Sequence, residues 1–156
     1  VGATLDDVVV CTSGGGLVAG TALAIRASSP ATRIWSAEPA GHDDHRRSLA
    51  AGQRQRNQPG ARQSFCDALL APIPGVLTFA INQPLLRGGL AVSDDEVRRA
   101  IVFAARTLKL VVEPGGAVAL AAVLAGKLEV RGRTVAVTLS GGNIEDALLT
   151  ELLTTN

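Results

Sequence analysis

The sequence contains no methionine, not even at its first position, so the chain is expected to be a piece of a longer polypeptide. Its start, Val1-Gly2-Ala3-Thr4, resembles neither a signal peptide nor an initiator. No apolar run reaches the roughly 20 residues that a membrane-crossing helix needs, and that kind of span is excluded. Cysteine is scarce. Cys11 ends an apolar run and Cys66 adjoins Phe65, the usual setting of buried thiols in a reducing compartment, so a disulfide framework is excluded and a cytoplasmic location is expected. An excess of charge is missing too: 15 basic residues against 14 acidic ones leave +1. Neither half carries a dense basic stripe, so nucleic acid and membrane surfaces are not expected partners, and a small-molecule ligand is. At 156 residues the chain suits one domain spanning residues 1–156, long enough to hide about 70% of its unfolded surface.

What is present reads as an α/β domain. Val8-Val9-Val10-Cys11 is a short β-branched run, ended by Thr12-Ser13-Gly14-Gly15-Gly16 and followed by an apolar stretch from Leu17 to Ile25: strand, glycine turn, buried helix. Ser28-Ser29-Pro30 breaks the helix, and Ile34 to Ala37 makes a second strand that delivers Glu38 at its carboxyl end. Two strands joined by a helix imply a parallel sheet whose ligand crevice lies beyond the carboxyl ends of the strands. Residues 41–64 are polar and read as surface, with a short helix over His45 to Ala51. Pro72, Pro74 and Gly75 make 65–81 mostly loop, with a strand-like piece around Leu77 to Ile81. Ser93 and Glu96 have capping-box spacing, and Val97, Ala100, Ile101, Ala104, Ala105 and Leu108 recur at helical intervals, leaving Arg98, Arg99 and Arg106 on a solvated face. Pro114 opens a second apolar helix, Ala117 to Ala125, stopped by Gly126. Val135 to Leu139 is the clearest strand; it runs into Ser140-Gly141-Gly142-Asn143 and a last helix carrying Ile144, Ala147, Leu148 and Leu152.

Adjacent glycines after a strand let the backbone turn sharply and present successive N–H groups, and the following helix adds its positive end, so the loop at Gly14 suits a phosphate. Ser13 and Thr12 can add hydroxyl donors. A ligand-free tight turn is the alternative for such a loop. Gly14-Gly15-Gly16-Leu17-Val18-Ala19 also fits a dinucleotide fingerprint, with Glu38 about 20 residues on as the ribose-binding acid. A mononucleotide P-loop is excluded, because no Gly-Lys-Ser/Thr follows the glycines.

Four blocks occur together in order: Ser13-Gly14-Gly15-Gly16-Leu17, Glu38-Pro39, Glu113-Pro114-Gly115-Gly116-Ala117 and Leu139-Ser140-Gly141-Gly142-Asn143. In this the chain resembles the C-terminal part of the serine/threonine dehydratase and serine racemase family of pyridoxal-phosphate enzymes. The resemblance implies a central, mainly parallel sheet flanked by helices, most of the large cofactor domain of a tryptophan synthase beta-like fold. It implies that the backbone N–H groups of Ser13, Gly14, Gly15, Gly16 and Leu17 hold the phosphate. By the same resemblance Ser140, with Gly141 beside it, meets the pyridine nitrogen, and Glu113 lies close to the ring. It places a Mg2+ or Ca2+ site at Glu38, the carbonyl of His42 and Asp44, oxygen donors that suit those ions. Plainer roles are open to each: turn residue and helix cap for Ser140, helix-start carboxylate for Glu113, solvated loop for His42-Asp43-Asp44-His45.

Two departures stand out. Ala68 follows Asp67 where the family usually has glycine. The family's Schiff-base lysine and its substrate-carboxylate loop belong to an upstream part, and neither motif occurs in this sequence; Lys109 and Lys127 read as surface residues. The implied parent is an L-threonine/L-serine dehydratase producing a 2-oxo acid and ammonia, homo-oligomeric, with the missing N-terminal half as its partner, and the chain alone is expected to be inactive. A serine racemase or hydroxyaspartate dehydratase on the same scaffold is the alternative within that class. A non-catalytic anion-binding or assembly domain is the alternative outside it.

Overall fold

A computed structural model describes residues 4–58, 60 and 64–154. The reading of Val1-Gly2-Ala3 as neither leader nor start lies outside these residues, as do positions 59, 61–63 and 155–156. Four parallel strands form one sheet: β1 (Asp7–Cys11), β2 (Arg33–Pro39), β3 (Gly88–Val92) and β4 (Val135–Val137), in the order β3-β2-β1-β4. Register is set by pairs such as Val9↔Trp35 and Val9↔Val137. Among the described residues six α-helices flank it: α1 (Gly16–Ser28), α2 (Asp44–Ala51), α3 (Val76–Leu85), α4 (Asp94–Phe103), α5 (Pro114–Leu124) and α6 (Asp146–Thr154).

Successive side chains of a strand point to opposite faces, and β1 divides its residues accordingly. Val8 and Val10 pack with Val18, Ala22 and Ile34 under α1, while Val9 and Cys11 face the larger core built by α4, α5 and α6. α5 is apolar on every side, as its sequence suggests, and lies buried from Pro114 to Ala122. α4 begins with the predicted capping box: Ser93 Oγ accepts from Glu96 N, and Glu96 returns a carboxylate oxygen to Ser93 N.

Four expectations need correction. Leu77 to Ile81 belongs to helix α3, and the edge strand β3 follows it. The helical stripe after Ser93 does not continue to Leu108, because a π-helical turn over Ala104–Leu108 rotates that residue to the surface, where Lys109 closes the segment at φ 61°. Residues 41–64 are not all surface, for Asp44, His45 and Ser48 are buried. The arginine face of α4 is not simply solvated either: Arg98 sits 4.7 Å over the Phe65 ring, and Arg106 donates to the Leu153 carbonyl of α6 at 2.6 Å. Among the described residues no helix is long and apolar enough to cross a membrane.

Candidate functional site

β1 and β4 are neighbours and parallel, and Thr138 N continues the pairing by donating to Val9 O at 3.0 Å. Their carboxyl ends therefore open at one edge of the sheet, where ligands of open α/β sheets bind. The β1 end leads into Thr12 to Gly16 and the β4 end into Ser140 to Asn143. Cys11 Sγ lies 2.9 Å from Ser140 Oγ. Gly14 is three residues beyond Cys11, at most about 11 Å of extended chain, so the two glycine turns lie at the same end of the sheet, near enough for a single phosphorylated ring to reach both.

The geometry of the first turn is imposed from behind. The Gly14 carbonyl accepts from Thr78 Oγ1 at 2.5 Å and from Gly75 N at 3.0 Å, and the Gly15 carbonyl accepts from Asn82 Nδ2 at 3.1 Å and Ala19 N at 3.0 Å. A trans peptide is planar, with its N–H opposed to its C=O. Clamping those two carbonyls against α3 thus turns the N–H groups of Gly15 and Gly16 away from α3. The loop is open at two of its glycines: a Cβ built on Gly14 or Gly16 would meet nothing within 4 Å. At Gly15, with φ 92°, it would come within 2.9 Å of Asn82 Nδ2 and 3.0 Å of Thr78 Oγ1. Ser13 Oγ accepts from Ala71 N at 3.1 Å, which leaves its own proton to donate. A row of outward donors at a helix start, beside open space, fits a phosphate.

Asn82 does more than hold Gly15. It is fully buried, and its Nδ2 also lies 3.0 Å from Nε2 of His45, itself fully buried. Burial depresses the His45 pKa to about 4, so at neutral pH the ring is uncharged and Nε2 accepts from the amide.

At the second turn, Gly116 of α5 lies so close to the Ser140 backbone that a Cβ there would stand 1.8 Å from the Ser140 carbonyl oxygen. Glu113 binds the turn from both ends, its N donating to Gly141 O and its Oε2 accepting from Asn143 N, each at 3.2 Å. Gly141 has φ 78°, and a Cβ there would lie 2.4 Å from the Glu113 carboxyl carbon, so carboxylate and turn are fitted to each other. Ala68 has a matching gap opposite: a Cβ at Gly115 would approach the Ala68 methyl to 3.1 Å.

Glu38, His42 and Asp44, expected to hold a divalent cation, lie between the end of β2 and the start of α2, and Asp44 Oδ2 is buried with no hydrogen-bond partner among the described residues. Both oxygens of fully buried Glu38 are taken by the start of α2, Oε1 accepting from His45 N at 3.0 Å and Oε2 from Arg46 N at 2.7 Å. Desolvation by burial pushes the Glu38 pKa well up. Asp44 Oδ1 accepts from Asn57 Nδ2 at 2.8 Å, and the same amide lies 3.4 Å from His42 Nδ1. Among the described residues no three His, Cys, Asp or Glu side chains are grouped to hold a metal ion. Glu38 in this role is withheld from a ribose, which removes the dinucleotide alternative even though the strand order would permit it. Neither lysine is desolvated: Lys109 Nζ donates to Arg106 O at 2.8 Å, and Lys127 pairs with Glu96 at 2.9 Å while remaining 38% exposed. Cys66 is buried and its pKa pushed up to about 12, so it is an inert thiol.

Sequence reading missed Thr78, Asn82 and His45. Thr78 and Asn82 do not show until 76–85 is known to be a helix, and His45 stands in a polar stretch that reads as surface.

The chain has matches among known proteins. A family model described as pyridoxal-phosphate dependent enzyme matches residues 1–141. The chain is 32% identical over 151 residues to serine racemase of Dictyostelium discoideum, covering 96% of this chain and 46% of that protein. It is 33% identical over 149 residues to L-threonine ammonia-lyase of Thermotoga maritima, covering 96% of this chain and 36% of that protein. Among solved structures, the threonine deaminase of T.th. superposes with a TM-score of 0.83 at 38% identity, over 89% of this chain and 49% of that one. The chain thus spans less than half the length of these proteins, its fold is that of the tryptophan synthase beta-like enzymes, and it belongs to the pyridoxal-phosphate-dependent enzyme family.

Proposed function

We propose that this chain forms the cofactor cradle of an ammonia-lyase acting on L-threonine or L-serine, whose Schiff-base lysine and substrate-carboxylate loop lie in an upstream part. The N–H groups of Ser13, Gly14, Gly15, Gly16 and Leu17 would hold the phosphate of pyridoxal phosphate, and the Ser140 hydroxyl would meet the ring nitrogen. Glu113 and Gly141 would border the ring. When bound, pyridoxal phosphate supplies an acceptor for the electrons left at the substrate α-carbon as its proton departs. A neutral hydroxyl at the ring nitrogen, unlike a carboxylate, does not hold that nitrogen protonated, and the weaker withdrawal favours loss of the β-hydroxyl over transamination. The single observation that carries the reading is the pairing of an outward N–H row at Gly14 to Gly16 with the Ser140 hydroxyl on adjacent parallel strand ends.

The test joins this chain to its upstream half, adds pyridoxal phosphate, and follows L-threonine and L-serine. The expected products are the 2-oxo acid and ammonia. D-serine as the main product would move the reading to a racemase. Cofactor retained with neither product would leave an anion-binding domain, and no retention at all would overturn the cradle.

The clamp behind the phosphate loop carries its own prediction. Removing one hydrogen bond to a loop carbonyl, by Thr78→Val or Asn82→Ala, is expected to weaken pyridoxal phosphate binding by about two- to tenfold, the equivalent of about 0.5–1.5 kcal/mol. Thr78→Ser keeps the donor and should bind like the parent chain in the same fluorescence titration. Equal affinity in all four proteins would show that the loop holds its shape without α3.

A further inference from the structure

We propose that Thr138, Cys11 and Ser140 form a one-way hydrogen-bond relay that fixes Ser140 as the donor toward the ring nitrogen of the cofactor, making Thr138 and Cys11 positioning residues. The proposal rests on the reading above that Ser140 faces that nitrogen. Cys11 is 3% exposed, and its thiol lies between two hydroxyls, 2.9 Å from Ser140 Oγ and 3.6 Å from Thr138 Oγ1. Each of the three side chains has one proton to give. Thr138 Oγ1 already accepts from Cys11 N at 3.2 Å, a bond whose direction cannot reverse because an amide N–H only donates.

Three orders of the three protons are consistent, and one of them, with both hydroxyls donating to sulfur, leaves the buried thiol proton no acceptor among the described residues. Two remain. In the first, Thr138 donates to sulfur, the thiol donates to Ser140, and Ser140 has its proton free for an unprotonated ring nitrogen. In the second, Ser140 donates to sulfur and the thiol to Thr138, so Ser140 presents only lone pairs to the ring and the nitrogen must be protonated. The second order turns the Thr138 proton away from sulfur, its one hydrogen-bond acceptor among the described residues, and leaves that half-buried hydroxyl only solvent. The first order satisfies every proton, and polarisation along such a chain strengthens its last bond. It also explains a thiol at the end of a strand whose neighbours are valines: Cys11 faces the α5 side, toward β4, and reaches the residue that would meet the ring nitrogen.

Two measurements test this. In the unloaded chain, the Cys11 S–H stretch is isolated by Raman difference against Cys11→Ala. Donation to Ser140 predicts that Ser140→Ala raises its frequency toward that of a free thiol. An unmoved band means the thiol does not donate to Ser140, and the relay is overturned. In the chain loaded with ring-15N pyridoxal phosphate, the nitrogen signal should lie in the unprotonated, hydrogen-bonded range. Cys11→Ala and Thr138→Val should each shift it, and Cys11→Ala should weaken binding about two- to tenfold. Cys11→Ser restores a donor and should return both readouts, a rescue that a merely structural role for the thiol would not produce. A protonated nitrogen in the parent chain, or a signal indifferent to both variants, would sink the relay. Failure of the parent chain to bind the cofactor, with the Raman result as expected, would instead overturn the cradle and deprive the relay of its destination.

Discussion

Gly116→Ala is expected to lower stability by about 3 kcal/mol and to abolish retention of pyridoxal phosphate, because the new methyl has nowhere to go. It would be placed 1.8 Å from the Ser140 carbonyl oxygen, and that neighbour is backbone, which cannot step aside as a flexible side chain can. α5 cannot yield either, being buried on all sides between the sheet and α4. The remaining adjustment is for the β4 end to withdraw. That would break the 2.9 Å contact between Cys11 and Ser140, carry the Ser140 hydroxyl away from the crevice, and loosen the Glu113 contacts with Gly141 and Asn143. For a chain of this size the stability loss corresponds to a fall in melting midpoint of roughly 6–12 °C. The control is Gly20→Ala on the exposed side of α1, where a Cβ would meet nothing within 4 Å and removing a helical glycine should stabilise by about 0.5–1 kcal/mol. Thermal melts and a cofactor titration on the two variants separate the cases; a Gly116→Ala protein with parental midpoint and affinity would mean that α5 and the Ser140 turn are not packed as described.

The parts of the fold that sequence reading found are those where one physical demand dominates. β1 shows as an apolar run, Val8 to Cys11, because a parallel strand is buried on both faces, β4 as the short run Val135 to Val137, and α4 declares itself through a cap and a one-sided stripe. α3 and β3 were hidden because their residues answer two demands at once. α3 buries the polar Asn82 beside Phe79, exposes Val76 and Leu77, and carries Pro84 in its last turn, so neither composition nor period marks a helix. β3 opens with Gly88 and Gly89, poor strand formers kept because a Cβ at the second would come within 2.7 Å of Arg46 in α2 and one at the first within 3.2 Å of the Trp35 ring. The glycine turns of the site were legible for the same reason that β3 was not, since glycine stands where a side chain would collide or where φ is positive. Glu38 was visible at a strand end, yet its partners are backbone N–H groups of α2, and no residue pattern announces which acid will cap a helix through space.

Asp7→Asn is expected to cost about 3 kcal/mol, lower the melting midpoint by roughly 6–12 °C and remove the Asp7 share of the acid limb of the stability profile, all at the end of the sheet opposite the ligand crevice. Asp7 is fully buried at the start of β1. Its Oδ1 accepts from Arg33 Nε at 2.7 Å and Trp35 Nε1 at 2.8 Å, and its Oδ2 from Arg33 at 2.9 Å and Arg133 Nε at 2.6 Å. One carboxylate therefore ties β2 and the approach to β4 onto β1. Asparagine keeps the size but offers a single acceptor oxygen, and it leaves two guanidinium groups close together without their counter-charge. Both arginines are partly exposed, 38% and 28%, and can turn toward water, which holds the expected cost at the lower end of what breaking a buried ion pair brings. The pH dependence follows from the pKa. Burial works to raise it, but the hydrogen bonds from Arg33, Trp35 and Arg133 prevail and hold the folded carboxyl at about 2, below its ordinary 3.8. A depressed folded-state pKa means that the unfolded chain takes up the proton first. The contribution is accordingly complete above pH 3.8, is lost as pH falls from there to about 2, and amounts to roughly 2 kcal/mol over that window. Urea melts at pH 7 and at successive values down to 2 should show the variant weaker at pH 7 and the two proteins converging as the window is crossed. A constant gap between them at every pH would mean that the variant loses packing and not the charge. Because the lost ties join β1 to β2 and to the approach to β4, the same variant should leave cofactor affinity near parental at temperatures where it remains folded; a large loss of affinity there would show that the amino end of the sheet governs the spacing of the two glycine turns at the other.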